Sequence, residues 1–180
     1  MNYIVFDIET KNVFKEVGSF TPALLDLSII CIYDSKTDSY HSFLDTELDK
    51  LWPLIEKTEM LIGYNSNHFD IPLLSKYYHG DLLHIKSLDL LEEIRLSLNR
   101  RVSLDQVAEA TLGKKKSSNG LQAVKWFQEG NIDLLRQYCL DDVKITKEIF
   151  DYALKNNSLK FKEAGKIFDI KLNTTNWLVK

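Results

Sequence analysis

Residues 2–9, NYIVFDIE, set Asp7 and Glu9 within a run of β-branched and aromatic residues. Such a run favours a strand. Side chains alternate along a strand, so these two acids share one face, about 7 Å apart. Paired acids near a strand end are unfavourable unless water, hydrogen bonds or a cation meets them. A wet loop beginning at Glu9 and Thr10 satisfies this requirement, and so does a metal site.

The rest of the chain can be placed around that strand. SIICIYD at 28–34 and DSYHSFL at 38–44 flank the turn-like SKTD and predict a hairpin. MLIGY at 60–64 and HIKSL at 84–88 predict two more strands, the first of them buried. Helical spacing appears at 46–58, where Pro53 predicts a kink or a start nearer Leu51. Asp70 reads as the cap of a helix over 71–79. Further helices are predicted at 89–99, 103–112, 120–129 and 132–154, and an alternating hairpin at 158–172. Strands first and helices later predict an α/β layer with a central mixed sheet.

A length of 180 residues with 44% hydrophobic residues suits one globular domain with a real core. No apolar run approaches the roughly 18 to 20 residues of a membrane span. Cys31 and Cys139 each lie in an apolar run, which predicts buried free thiols and a reducing compartment, the cytoplasm. The net charge of −3 excludes a strong general attraction to polyanions. It is unevenly spread, with +4 on residues 155–180 and −7 on residues 1–154. This split makes residues 155–180 a basic C-terminal extension.

Two further stations carry acids. GYNSNHFDIPLL at 63–74 runs from a buried strand through polar residues to Asp70, with Asn65 and Asn67 as ordinary turn formers able to touch a sugar or phosphate. RQYCLDDVKI at 136–145 sets Tyr138 and Asp142 one helical turn apart on one face, with Asp141 rotated away. Each station alone has an ordinary explanation, a cap or a solvated face. Together, four carboxylates in apolar context supply the hard oxygen donors that Mg²⁺ and Mn²⁺ prefer.

FDIET, NSNHFD and YCLDD, in this order, resemble the Exo I, Exo II and Exo III motifs of the DEDD 3′–5′ exonucleases of the ribonuclease H-like superfamily. The Y-x-x-x-D spacing of Tyr138 and Asp142 fits the tyrosine type, and Gln137 stands where the other type needs His. SLDQVAEATLG and GNIDLLRQYCLDDV are similar to helices of family B polymerase proofreading domains. FKEVG and LSIICIYDSKTDSY are similar to small stand-alone or helicase-associated exonuclease domains of bacteria and archaea.

The resemblance implies a ribonuclease H-like fold over residues 1–154, with a five-stranded mixed sheet flanked by helices and the C-terminal hairpin as an addition. It implies that Asp7, Glu9, Asp70 and Asp142 hold two Mg²⁺ or Mn²⁺ ions, that Tyr138 orients the attacking water, and that the product is a 5′-mononucleotide. Single-stranded DNA or RNA is the implied substrate, and a polymerase or helicase the implied protein partner. Thr10, Asn65, Asn67 and Phe69 are the implied contacts to the terminal nucleotide, with Phe69 equally suited to the core. Lys114, Lys115 and Lys116 form a basic run suited to substrate phosphates or to solvent. Competing expectations are a catalytically inactive nucleic-acid-binding module of the same fold, a protein whose acids only hold a stabilising cation, and a ribonuclease H-type endonuclease.

Overall fold

The computed structural model describes residues 1–115 and 119–179. Its main sheet has the order β3-β2-β1-β4-β5, formed by β1 (Tyr3–Thr10), β2 (Leu27–Asp34), β3 (Ser39–Leu44), β4 (Met60–Gly63) and β5 (Lys86–Asp89). β1 pairs antiparallel with β2, and β2 with β3, while β1–β4 and β4–β5 are parallel. The sheet is therefore mixed, and the first strand lies at its centre.

Seven helices accompany it among the described residues: α1 (Phe14–Val17), α2 (Leu48–Ile55), α3 (Asp70–Ser75), α4 (Leu90–Leu98), α5 (Leu104–Leu112), α6 (Gly120–Gln128) and α7 (Ile132–Asn156). Strand alternation divides the core into two. Ile4, Phe6 and Ile8 of β1 pack with Leu51 and Ile55 of α2 and with Ile71 and Leu74 of α3. Val5 faces the opposite layer, where α5, α6 and α7 contribute Val107, Ala123, Tyr138 and Val143. Asp7 and Glu9 share the parity of Val5, so they lie on the α7 side of the sheet.

β6 (Ser158–Glu163) and β7 (Lys166–Lys171) form the expected C-terminal hairpin. Its tight turn holds Ala164 and Gly165 at φ of 47° and 75°, the left-handed conformation that matches the twist of such a turn. Leu159, Phe161 and Ile170 enter the same core as Val5. Thr111 of α5 bonds both the N–H and the carbonyl of Lys160, each at 2.9 Å. Beyond β7, Trp177 stacks on Phe150 with ring centroids 5.9 Å apart, and Lys86 donates to the carbonyls of Asn176, Trp177 and Val179.

Several boundaries differ from expectation. α3 stops at Ser75, because the N–H groups of Lys76 and Tyr77 bond three residues back, to Leu73 and Leu74, and tighten the last turn. α2 begins at Leu48 and keeps Pro53 in its closing turn. His84 sits in a 3₁₀ turn ahead of β5. α1 and the 3₁₀ turn Pro22–Leu24 have no counterpart in the sequence reading; at four and three residues they are too short to show a period.

Candidate active site

β1 delivers the first two acids. β4 pairs with β1 only at Tyr3, Ile4 and Val5, so the far half of β1 has no strand neighbour on that side. Its pairing with β2 shifts register between Glu9 and Thr10, an irregularity common beside functional sites. Thr10 folds its hydroxyl onto the carbonyl of Asn12, at 2.8 Å, where the chain leaves the sheet.

Asp70 occupies the flank that β4 vacates. Its Oδ1 accepts the backbone N–H of Ile8 at 3.0 Å, so a carboxylate completes the hydrogen bonding of the central strand. This corrects the reading of Asp70 as a helix cap: Phe69 holds the cap position, and Asp70 is the first residue of α3. Burial raises the Asp70 carboxyl well above the ordinary carboxylate range, and the nearby charge of Asp7 adds to that effect.

The loop from Tyr64 to Phe69 sets this position, and it is held by a residue absent from the expected site. Asp89, at the end of β5, accepts the N–H groups of Asn65 at 2.7 Å and Asn67 at 3.0 Å, and that of Leu91 in α4 at 3.0 Å. Its burial raises the carboxyl against the opposing pull of these donors. The sequence does carry a signal for it, an Asp directly before the apolar start of a helix. Gly63 lets the loop close tightly: a Cβ there would lie 2.4 Å from the Cβ of buried Ser66 and 3.5 Å from the carbonyl of Phe6.

α7 brings the remaining groups. Tyr138 and Asp142 are both buried, and Tyr138 meets Trp126 of α6 edge to face at 5.9 Å. Cys139, between them in sequence, places its Sγ 3.4 Å from the Asp7 carbonyl and so joins α7 to β1. Asp141 points elsewhere, toward Gln137 at 2.8 Å and Lys144 at 3.1 Å.

Asp7, Glu9 and Asp142 each offer a carboxylate oxygen within 4.8 Å of the other two. Asp70 and Tyr138 line the same cleft, of about 480 Å³. All the donors of that trio are carboxylate oxygens, a set that fits a hard divalent cation and not a soft one. Like charges so close together repel, and a cation relieves that repulsion.

The other expected contacts divide. Thr10, Asn65 and Phe69 line the cleft. Asn67 turns away: its side chain donates to Glu92 at 2.6 Å and accepts from the Ser87 hydroxyl. Asn65 accepts from Arg101 at 2.5 Å. Lys114 pairs with Glu148 at 2.6 Å and Lys115 lies 3.7 Å from Glu109, both away from the cleft lining. Lys116 lies outside the described residues. Phe14, Tyr64, Leu121 and Val124 also line the cleft and were not anticipated.

A model of the RNase H superfamily matches residues 4–154, most of the chain and all of the residues just described. The chain belongs to the RNase H superfamily. Among solved structures it resembles the family B DNA polymerase from the hyperthermophilic archaeon Pyrobaculum calidifontis, with a TM-score of 0.67 at 20% identity. The similarity covers 86% of this chain and 24% of the polymerase. At that identity the likeness is one of fold. No curated protein matches the chain. No described helix of this superfamily member is long and apolar enough to cross a membrane.

Proposed function

We propose that this RNase H superfamily chain is a metal-dependent 3′–5′ exonuclease that hydrolyses the terminal phosphodiester of single-stranded DNA or RNA to release 5′-mononucleotides. The observation that carries the proposal is convergence: acids from β1, α3 and α7, distant from one another in sequence, reach one cleft together with Tyr138.

Asp7, Glu9, Asp70 and Asp142 would hold two Mg²⁺ or Mn²⁺ ions, which supply charge neutralisation and acidification of water when bound. The protein's own groups do the positioning. Asp70 is fixed by the Ile8 amide, and the Asp89 network fixes the loop that leads to it. Tyr138, held by Trp126 in a buried setting, presents a hydroxyl that orients the attacking water. Phe69 and Thr10 stand at the cleft wall where the last nucleotide would rest. Domain limits of 1–154 for the catalytic unit and 155–180 for the basic extension go with this reading. Docking with a polymerase or helicase is proposed from the polymerase likeness. A cytoplasmic setting is proposed from the two free, buried cysteines.

The test is digestion of 5′-labelled single-stranded DNA and RNA with Mg²⁺, Mn²⁺ or EDTA, by wild type, Asp7→Asn and Asp142→Asn. The expected result is a metal-dependent ladder shortening from the 3′ end and reduced at least about 100-fold in both variants. Internal cuts would make the chain a ribonuclease H-type endonuclease. Binding without any cleavage would leave an inactive binding module.

A further inference from the structure

The cleft that would receive a polyanion has no cationic side chain among the described residues that line it. Among its described lining residues are Asp7, Glu9, Asp70 and Asp142, and neither Lys nor Arg. The described lining therefore offers backbone phosphates, the usual source of nucleic-acid affinity, no cationic side chain beside the acids. What the rim offers is aromatic. Phe69, next to Asp70, meets Phe14 edge to face at 6.0 Å, and Phe14 meets Phe20 at 5.7 Å. The three rings run outward from the acids, the first two half-buried and Phe20 87% exposed.

The loop that carries Phe14 and Phe20 is braced at its base. Asn12 and Asp26 bond each other twice, side chain to side chain at 3.0 Å and Asp26 amide to Asn12 Oδ1 at 2.9 Å. The Lys11 amide donates to the Asp26 carbonyl at 2.7 Å, and Lys76 pairs with the Asp26 carboxylate at 2.7 Å. Glu16 caps the first turn of α1 through the Val13 amide at 2.8 Å. A single exposed Phe is ordinary on a protein surface. A contacting series of rings on a pinned loop, continuous with the wall of an acidic cleft, is a platform.

We infer that Phe14 and Phe20 are substrate-positioning residues that stack the unpaired bases of the second and third nucleotides from the strand end, so that the chain grips its substrate by base faces more than by phosphates. This rests on the exonuclease reading for which end enters the cleft. Stacking on aromatic rings tolerates any base sequence and requires bases free of a partner strand. Affinity should accordingly fall only shallowly with salt.

The experiment measures KM and kcat on a single-stranded oligonucleotide for wild type, Phe20→Ala and Phe20→Trp, and repeats them on the same oligonucleotide made abasic at the second and third positions from the 3′ end. Phe20→Ala should raise KM about tenfold on the intact strand, Phe20→Trp should stay within about twofold of wild type, and the gap between wild type and Phe20→Ala should close on the abasic strand. Equal KM for wild type and Phe20→Ala, or an equal gap on both strands, overturns the platform. In parallel, an oligonucleotide with fluorescent aminopurine at those positions is bound in Ca²⁺. Quenching lost in Phe20→Ala, with no cleavage by any protein, would overturn the exonuclease reading and keep the platform. Cleavage without quenching would do the reverse.

Discussion

Asp89 and the trio of Asp7, Glu9 and Asp142 are acids built into the molecule in opposite ways. Asp89 is surrounded by donors, three backbone N–H groups divided between its two oxygens. Asp7, Glu9 and Asp142 each bring a carboxylate oxygen within 4.8 Å of the other two. The first arrangement fixes backbone; the second concentrates negative charge in the lining of a cleft. Donors offset the cost of burying one carboxylate, whereas carboxylates set close together raise that cost unless a cation joins them.

Breaking the Asp89 arrangement should have the largest effect on folding. Asp89→Ala strands three amides, that of Leu91 buried and those of Asn65 and Asn67 partly so, and is expected to lower stability by about 3 kcal/mol, measured by urea denaturation. Asp89→Asn, which retains one acceptor oxygen, should lose less. If the two variants lose equally, the charge of Asp89 matters more than its acceptor geometry.

Gly63→Ala is next, with an expected loss of about 2 kcal/mol, because the added methyl meets Ser66 on one side and strand backbone on the other. The same denaturation should show it, and the combination of Gly63→Ala with Asp89→Ala should lose less than the sum if both act on one loop.

The smallest effect concerns the acid cluster. Asp70 has a carboxyl raised by burial and by Asp7. An acid whose folded value lies above its unfolded value favours the folded state most below the unfolded value, and loses that advantage as pH rises through the folded one. Metal-free stability should therefore decline as pH rises above about 4. A divalent cation competes with these protons, so Mg²⁺ should raise Tm more at pH 8 than at pH 5, by a few degrees. Asp7→Asn in EDTA should match or exceed wild-type stability. A Mg²⁺ response independent of pH would argue that the cation binds elsewhere.

The comparison also shows what the sequence could reveal. Alternation in residues 2–9 is a local property, and it correctly gave Asp7 and Glu9 a common face. Helical spacing likewise put Tyr138 and Asp142 on one side of α7, and the alternating C-terminal segment became β6 and β7. Asp70 was misassigned as a cap because its hydrogen-bond partner is Ile8, 62 residues away, and no spacing rule reaches that far. Asn67 could pass for a nucleotide contact because only tertiary packing sets Glu92 and Ser87 beside it. Asp89 was legible as a helix start, but its hold on the loop was not, since the donors come from the segment after β4. The platform was hidden for a different reason: Phe14 opens a helix of only four residues and Phe20 follows it, and their alignment with Phe69 exists only once the loop is pinned.

The bond from Ile8 to Asp70 gives the molecule an internal reporter. An amide at the centre of a sheet is normally indifferent to solution conditions, shielded by strands on both sides. This one donates to a carboxylate at the edge of the cleft. Its proton resonance is tied to the ionisation of that carboxylate, and through it to whatever charge enters the site. One backbone signal beside the cleft can therefore register a change of charge there without a probe attached to any acid that lines it.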